Sequence, residues 1–148
     1  GLGKILQVVQ GVNSVSTATT SGTFSDFYSQ AITPTAASST ILVLGRTCCG
    51  ATAGGDDMKY TLRVQRDIES AGYSTIATSP YSIGYSYGAS FGNHTQVTDQ
   101  SICFLDSPSY TLTDVLTYKY QIACDSGGTA TYNDGGTQSS LTLIEVAV

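Results

Sequence analysis

The strongest constraint on this chain is a strict alternation of apolar and polar residues in short runs. Leu116, Tyr118, Tyr120 and Ile122 share one parity, with Thr117, Lys119 and Gln121 between them. Tyr60, Leu62 and Val64 do the same against Lys59, Thr61, Arg63 and Gln65. Successive side chains of a strand point to opposite faces, so a period of two puts one face in a core and the other in water. Runs of this kind, punctuated by Gly, Asn, Asp, Pro and Ser, predict strands over 6–11, 23–32, 40–48, 59–67, 73–77, 101–105, 115–124, 129–132 and 140–146. In the second run Phe24, Tyr28 and Phe27 are candidates for the inner face, and Pro34 ends ladder pairing. The uninterrupted Ile41-Leu42-Val43-Leu44 predicts a strand covered on both faces. Asp125-Ser126-Gly127-Gly128 and Asn133-Asp134-Gly135-Gly136 sit where hairpin turns need positive φ. No segment keeps helical periodicity over three turns. About eight to ten strands in 148 residues fit a single all-β domain over 1–148, a β-sandwich of jelly-roll type.

Composition narrows the function classes. Charged residues make up only 11%, while Ser and Thr together number 40 and Gly 16. A net charge of -5 with six basic residues argues against nucleic-acid binding, which needs clustered Lys and Arg. Ile41–Leu44 is the longest apolar run and falls far short of the roughly 20 residues of a membrane span. The chain opens at Gly1 rather than Met, as expected of one trimmed or taken from a longer protein. The immediate start of the first strand favours a piece that follows a stalk.

The candidate chemistry is sparse. Cys48, Cys49, Cys103 and Cys124 form no C-x-x-C pair, which leaves zinc ribbons and thioredoxin motifs unsupported. Adjacent strand residues point apart, so Cys48 and Cys49 do not share one core. A disulfide between Cys103 and Cys124 requires neighbouring strands, with Cys48 or Cys49 as competing partners and buried free thiols as the alternative. Cys124-Asp125-Ser126-Gly127-Gly128 looks like part of a trypsin-like nucleophile motif, but the sole histidine is His94 and too little chain precedes it for the barrel that carries the base. A turn explains the string better. Asp56-Asp57, Asp125 and Asp134 read as solvated loop acids, because no calcium-loop pattern surrounds them. Gly1-Leu2-Gly3-Lys4 is no phosphate loop, and Asn93-His94-Thr95 is a glycosylation sequon only in a eukaryotic secretory setting. No metal, no cofactor and no enzymatic activity are expected.

The most distinctive stretch is Tyr81-Ser82-Ile83-Gly84-Tyr85-Ser86-Tyr87-Gly88-Ala89-Ser90-Phe91. Extended, it would present Tyr81, Tyr85, Tyr87 and Phe91 as one aromatic stripe with Ser and Gly opposite. Tyrosine joins flat apolar area to a hydroxyl, which suits sugar stacking or a subunit interface. Core packing is the plainer alternative.

Several segments, read in order, resemble the terminal β domain of phage tail-fibre-like virion proteins of the marine and cyanobacterial phage type. They are Gly3-Lys4-Ile5-Leu6-Gln7-Val8-Val9-Gln10, Ile32-Thr33-Pro34 followed by Ser38-Ser39-Thr40-Ile41-Leu42-Val43, Leu62-Arg63-Val64-Gln65-Arg66-Asp67, Phe104-Leu105-Asp106-Ser107-Pro108, Leu116-Thr117-Tyr118-Lys119-Tyr120-Gln121 and Ser140-Leu141-Thr142-Leu143-Ile144-Glu145-Val146. Together they span nearly the whole chain. The resemblance implies a compact, commonly trimeric sandwich on a virion surface, with no catalytic residues to carry over. Cys48-Cys49, the loop 50–57 and the Tyr-rich stretch depart from that pattern and would hold this chain's own specificity. The expectation is a homotrimeric, non-enzymatic fibre or spike head that meets other virion proteins and a host-surface glycan. A capsid decoration protein is the first alternative, and a secreted carbohydrate-binding module the second.

Overall fold

The computed structural model describes residues 3–53, 57–58, 60–78, 86–87, 94–124 and 128–148. Twelve strands lie among these residues: β1 (Ile5–Asn13), β2 (Thr17–Thr19), β3 (Ser25–Ile32), β4 (Thr40–Ala53), β5 (Asp57–Met58), β6 (Tyr60–Ile68), β7 (Ser74–Thr78), β8 (Ser86–Tyr87), β9 (His94–Asp106), β10 (Leu116–Cys124), β11 (Thr129–Tyr132) and β12 (Ser139–Val146). A six-stranded sheet joins β1, β12, β4, β11 and β2, with β9 on the other edge of β4. A four-stranded sheet has the order β3-β10-β6-β7, and β5 pairs with β8.

The pairing is that of a rolled-up hairpin. β6 pairs with β7, β4 with β9, β3 with β10, and β1 with β12, all antiparallel, so each pair nests outside the last along the chain. Folding such a ribbon across itself sends alternate pairs to opposite sheets, which is the jelly-roll arrangement. β2 and β11 extend the outermost pair: β11 and β12 follow one another along the same edge of β4, and both run antiparallel to it. Residues 133–136 therefore interrupt a broken strand and are not the hairpin turn the sequence predicts. Asn133 (φ 53), Gly135 (φ 64) and Gly136 (φ 78) still adopt the left-handed backbone that the motif favours. The strands before and after residues 125–127 belong to different sheets, so no hairpin joins them either.

Between the sheets the expected parities hold. Tyr60, Leu62, Val64, Leu116, Tyr118, Tyr120 and Ile122 are all buried, as are Ile41, Val43, Leu141 and Leu143 of the facing sheet. A bulge shifts the β3–β10 register between Tyr120 and Gln121 and brings Phe27 into the core, while Phe24 lies under the Arg63 guanidinium. Phe27 stacks on Tyr120 at 5.4 Å between centroids and packs tilted against Tyr132 at 4.1 Å. Two glycines receive the large rings. A Cβ at Gly45 would overlap the Tyr120 hydroxyl, and one at Gly11 would overlap the Tyr28 hydroxyl and the Gln30 amide. Tyr28 and Tyr120 are cross-strand partners, so two adjacent rings enter two notches two strands apart.

Polar groups close the ends of the sandwich. Glu145 is fully buried, and its carboxylate accepts hydrogen bonds from Thr35 N and Oγ1 (2.9 Å), Ala36 N (3.0 Å), Ser39 Oγ (2.8 Å) and Gln7 Nε2 (2.8 Å). Burial raises its pKa, but these donors outweigh burial and hold it down at about 2. The Tyr110 hydroxyl fixes the same loop, donating to Ala36 O (2.6 Å) and accepting from Ser39 N (2.8 Å). The Arg66 Nη1 donates to both oxygens of Asp106 at 2.7 Å, and the Tyr118 hydroxyl donates to Asp106 at 2.8 Å, tying β6 and β10 to the end of β9 across the core. At the broken outer strand Asn133, fully buried, donates to Asn13 O (2.8 Å) and Val15 O (3.1 Å) and accepts from Ser139 Oγ (2.6 Å).

Two expectations need correction. β4 is covered on both faces only from Thr47 to Ala51; Leu42 and Leu44 are partly exposed, so Ile41–Leu44 buries one face and shows the other. β9 starts at His94 rather than near residue 101, because its polar first half is held by the ladder to β4 from Ala53 to Thr47 and not by an apolar stripe.

Two measurements test the packing. Gly45→Ala should lower the unfolding free energy by about 1–3 kcal/mol in urea titration, the usual cost of overpacking. Gly22→Ala, whose added Cβ would meet only an ordinary contact at 3.8 Å, should stay within about 0.5 kcal/mol. Glu145 carries an acid-sensitive stabilisation. With a folded pKa of about 2 against 4.5 for the free group, its contribution is complete above pH 4.5 and is lost as pH falls through 2. That contribution is about 3 kcal/mol, so Glu145→Gln should lose roughly this much at neutral pH and show a flatter acid limb.

Candidate interaction surfaces

The two outer faces of the sandwich differ in chemistry. On the six-stranded sheet, register brings Val8, Ile144, Leu42 and Leu105 into one row across β1, β12, β4 and β9. Their neighbours of opposite parity, such as Val43 and Leu143, fill the core, so this row points to solvent. Val8 is 57% exposed and Leu105 59%, while Ile144 and Leu42 are half-buried. The next row holds Gln10, Thr142, Leu44 and Cys103, and the Arg46–Asp99 ion pair (2.8 Å) lies beyond it. An apolar row four strands wide is unusual on a face left in water.

The four-stranded sheet carries a polar and aromatic ladder instead. Arg63 lies over the Phe24 ring at 3.9 Å and hydrogen-bonds Gln121, which donates to Asp26. Lys119 pairs with Asp26 at 3.0 Å and lies 3.6 Å from the centre of the Tyr73 ring. Partial burial raises the Asp26 pKa, but the Gln121 and Lys119 hydrogen bonds and the Lys119 and Arg63 charges more than offset this, so the carboxyl stays below its usual range. A cleft of 520 Å³ opens beside this ladder, lined by Val12, Asn13, Asp26, Phe27, Tyr28, Ser29, Tyr73 and Lys119.

No protein-family profile matches the sequence, and no curated protein is similar to it. Among solved structures it is similar to a chain described as "Structure of infectious bursal disease virus Gx strain", at 12% identity and a TM-score of 0.43. The alignment covers 97% of this chain and 38% of that one, so the chain spans well under half of that protein's length.

Of the residues singled out in the sequence, Tyr81, Tyr85 and Phe91 lie outside the described residues. Tyr87 lies in β8, opposite Asp57 of β5. The Cys103–Cys124 disulfide does not form. Cys103 is on β9 in the six-stranded sheet with an exposed thiol, whereas Cys124 ends β10 in the other sheet and is buried; all four cysteines are free. Cys48 and Cys49 are both buried, on opposite faces of β4, with Cys49 in the core. Burial and the neighbouring Cys48 push the Cys49 thiol up to about 12, against a smaller opposing effect of the Thr47 hydrogen bond. Sequence reasoning missed both surfaces. Leu42 reads as doubly covered until register shows its parity, nothing in the sequence marks Ile144 and Leu105 as outward, and Asp26, Lys119 and Tyr73 are far apart in sequence.

Thiol counting tests the cysteine placement. With the outer face of the six-stranded sheet uncovered, Ellman's reagent should modify one thiol promptly, Cys103, and the other three only after denaturation. A Cys103→Ser variant that still shows one prompt thiol would contradict it.

Proposed function

We propose that this chain is a non-enzymatic structural module of a virion, presented at its surface as a homotrimer that forms the head of a fibre or spike and meets the host envelope. The observation that carries the reading is the Val8–Ile144–Leu42–Leu105 row on the outer face of the six-stranded sheet. A monomer gains nothing from leaving this row wet. Covering a half-exposed Val or Leu contributes about 1 kcal/mol, so a repeated contact across the row supports assembly. The described charges beside it are the mutually neutralised Arg46 and Asp99, so copies of an anionic chain repel least through this face. The ordered resemblance to phage fibre domains, and the jelly roll on which those segments fall, support the placement on a virion.

Size exclusion with light scattering tests the assembly. The chain should run near three times 15.4 kDa, and Val8→Lys with Leu105→Lys should run as a monomer that keeps the β-sheet circular dichroism and melts lower only by the lost assembly. A wild-type monomer at micromolar concentration, or a trimer indifferent to both substitutions, would overturn assembly through this face. Adsorption to host cells by the intact trimer separates a fibre head from a capsid decoration protein, which would instead bind shells lacking it.

A further inference from the structure

The cleft on the other side of the molecule has a chemistry of its own. At 520 Å³ it falls within the range of small-ligand sites. Tyr73 is 42% exposed, and Lys119 lies close to its ring centre, so the ring is held in place with area left for stacking. Tyr28 lines the same cleft, its hydroxyl lying over Gly11. Rigid aromatic area of this kind binds flat faces at small entropic cost.

The polar groups are fixed but not saturated. Lys119 has three donors, and among the described residues its contacts are Asp26 and the Tyr73 ring. Asn13 donates one amide hydrogen to Phe27 O (3.1 Å) and accepts one bond from Val15 N (2.9 Å), which among the described residues leaves one hydrogen and one lone pair. Asp26 keeps lone pairs after bonding Gln121 and Lys119, and Ser29 adds a hydroxyl. The cleft thus offers mixed donors and acceptors around aromatic area. Its two charges cancel at 3.0 Å, so it presents no net field to a phosphate, a carboxylate or an amine. A ligand with apolar faces, many hydroxyls and no charge meets every one of these conditions.

We propose that the cleft bounded by Asn13, Asp26, Tyr28, Ser29, Tyr73 and Lys119 binds a neutral saccharide of one or two rings. The proposal goes beyond the assembly reading and stands apart from it. The cleft is walled by β3, Lys119 of β10 and Tyr73, with only the Val12–Asn13 end of β1, while the apolar row lies on the other sheet. A monomer that binds sugar would keep this proposal and lose that reading; a trimer blind to sugar would do the reverse.

The test is an amide-resolved NMR titration of the whole chain with lactose, maltose, cellobiose and chitobiose, using sialic acid and inorganic phosphate as charged controls. At least one neutral disaccharide should shift the amides of Asn13, Asp26 to Ser29 and Lys119 in a saturable way. Tyr73→Ala should weaken that binding roughly tenfold through loss of stacking, while its melting temperature stays near wild type. Tyr73→Phe should restore most of the affinity. No saturable shift with any of the four, shifts that survive Tyr73→Ala unchanged, or tighter binding of either charged control would overturn the proposal.

Discussion

The two sheets meet in one register because two glycines leave room for two tyrosine rings. Gly11 on β1 and Gly45 on β4 flank Leu141 of β12, and the notches they form receive Tyr28 and Tyr120, partners across β3 and β10. A sheet face of uniform β-branched residues could slide against its neighbour with modest loss. A ring in a notch cannot, since a shift of one residue would drive it into a side chain. Tyr120 also carries a polar cost: its buried hydroxyl has no hydrogen-bond partner among the described residues, and burial raises its pKa. The stack of Phe27 between Tyr120 and Tyr132 offsets this by filling the centre with three rings.

Around that centre, charged residues occupy strand positions whose parity points inward. Glu145, Arg66 and Asp106 all lie on the core side of their strands, and each reaches the rim where loops supply partners. Their work is to fix loops and to join sheets that share no ladder. Glu145 gathers backbone and side-chain donors from 35–39 onto β12, so the crossing from β3 to β4 has one conformation. Arg66, Tyr118 and Asp106 do the same between sheets, although the Arg66 Nε has no partner among the described residues. A carboxylate with five donors is stabilised in its charged form, whereas the same group with one missing would be a buried cost.

Much of this was legible in the sequence, and parity explains how much. Leu116 to Ile122 and Tyr60 to Val64 alternate cleanly because each strand has one wet and one dry face, and all fall where the alternation puts them. Sequence reasoning failed wherever a residue's setting depends on a distant strand. The polar residues at 94–100 read as loop because β4, not their own pattern, makes them a strand. Ile41 to Leu44 read as doubly covered because an apolar outer row looks the same as a core in one dimension. A Cys103–Cys124 pair requires neighbouring strands, but the roll sends their strands to different sheets. The cleft was illegible for the same reason: β1, β3, the β6–β7 loop and β10 meet there only after folding.

The contrast between the outer faces follows from how few charges the chain has. It carries six basic and eleven acidic residues, and Glu145, Arg66 and Asp106 are already taken up inside. Arg63, Asp26 and Lys119 form a ladder on the four-stranded face, which leaves Arg46 and Asp99 beside the apolar row on the other. Ser and Thr keep most of the remaining surface wettable without charge. In a chain built this way, sparse charge is no sign of an interface, because it is sparse nearly everywhere. The informative place is where hydroxyls give out as well, and the Val8–Ile144–Leu42–Leu105 row meets that condition across four consecutive strands. The opposite face keeps its polar groups and adds aromatic rings to them, so it is suited to a small hydrated ligand rather than to another apolar face.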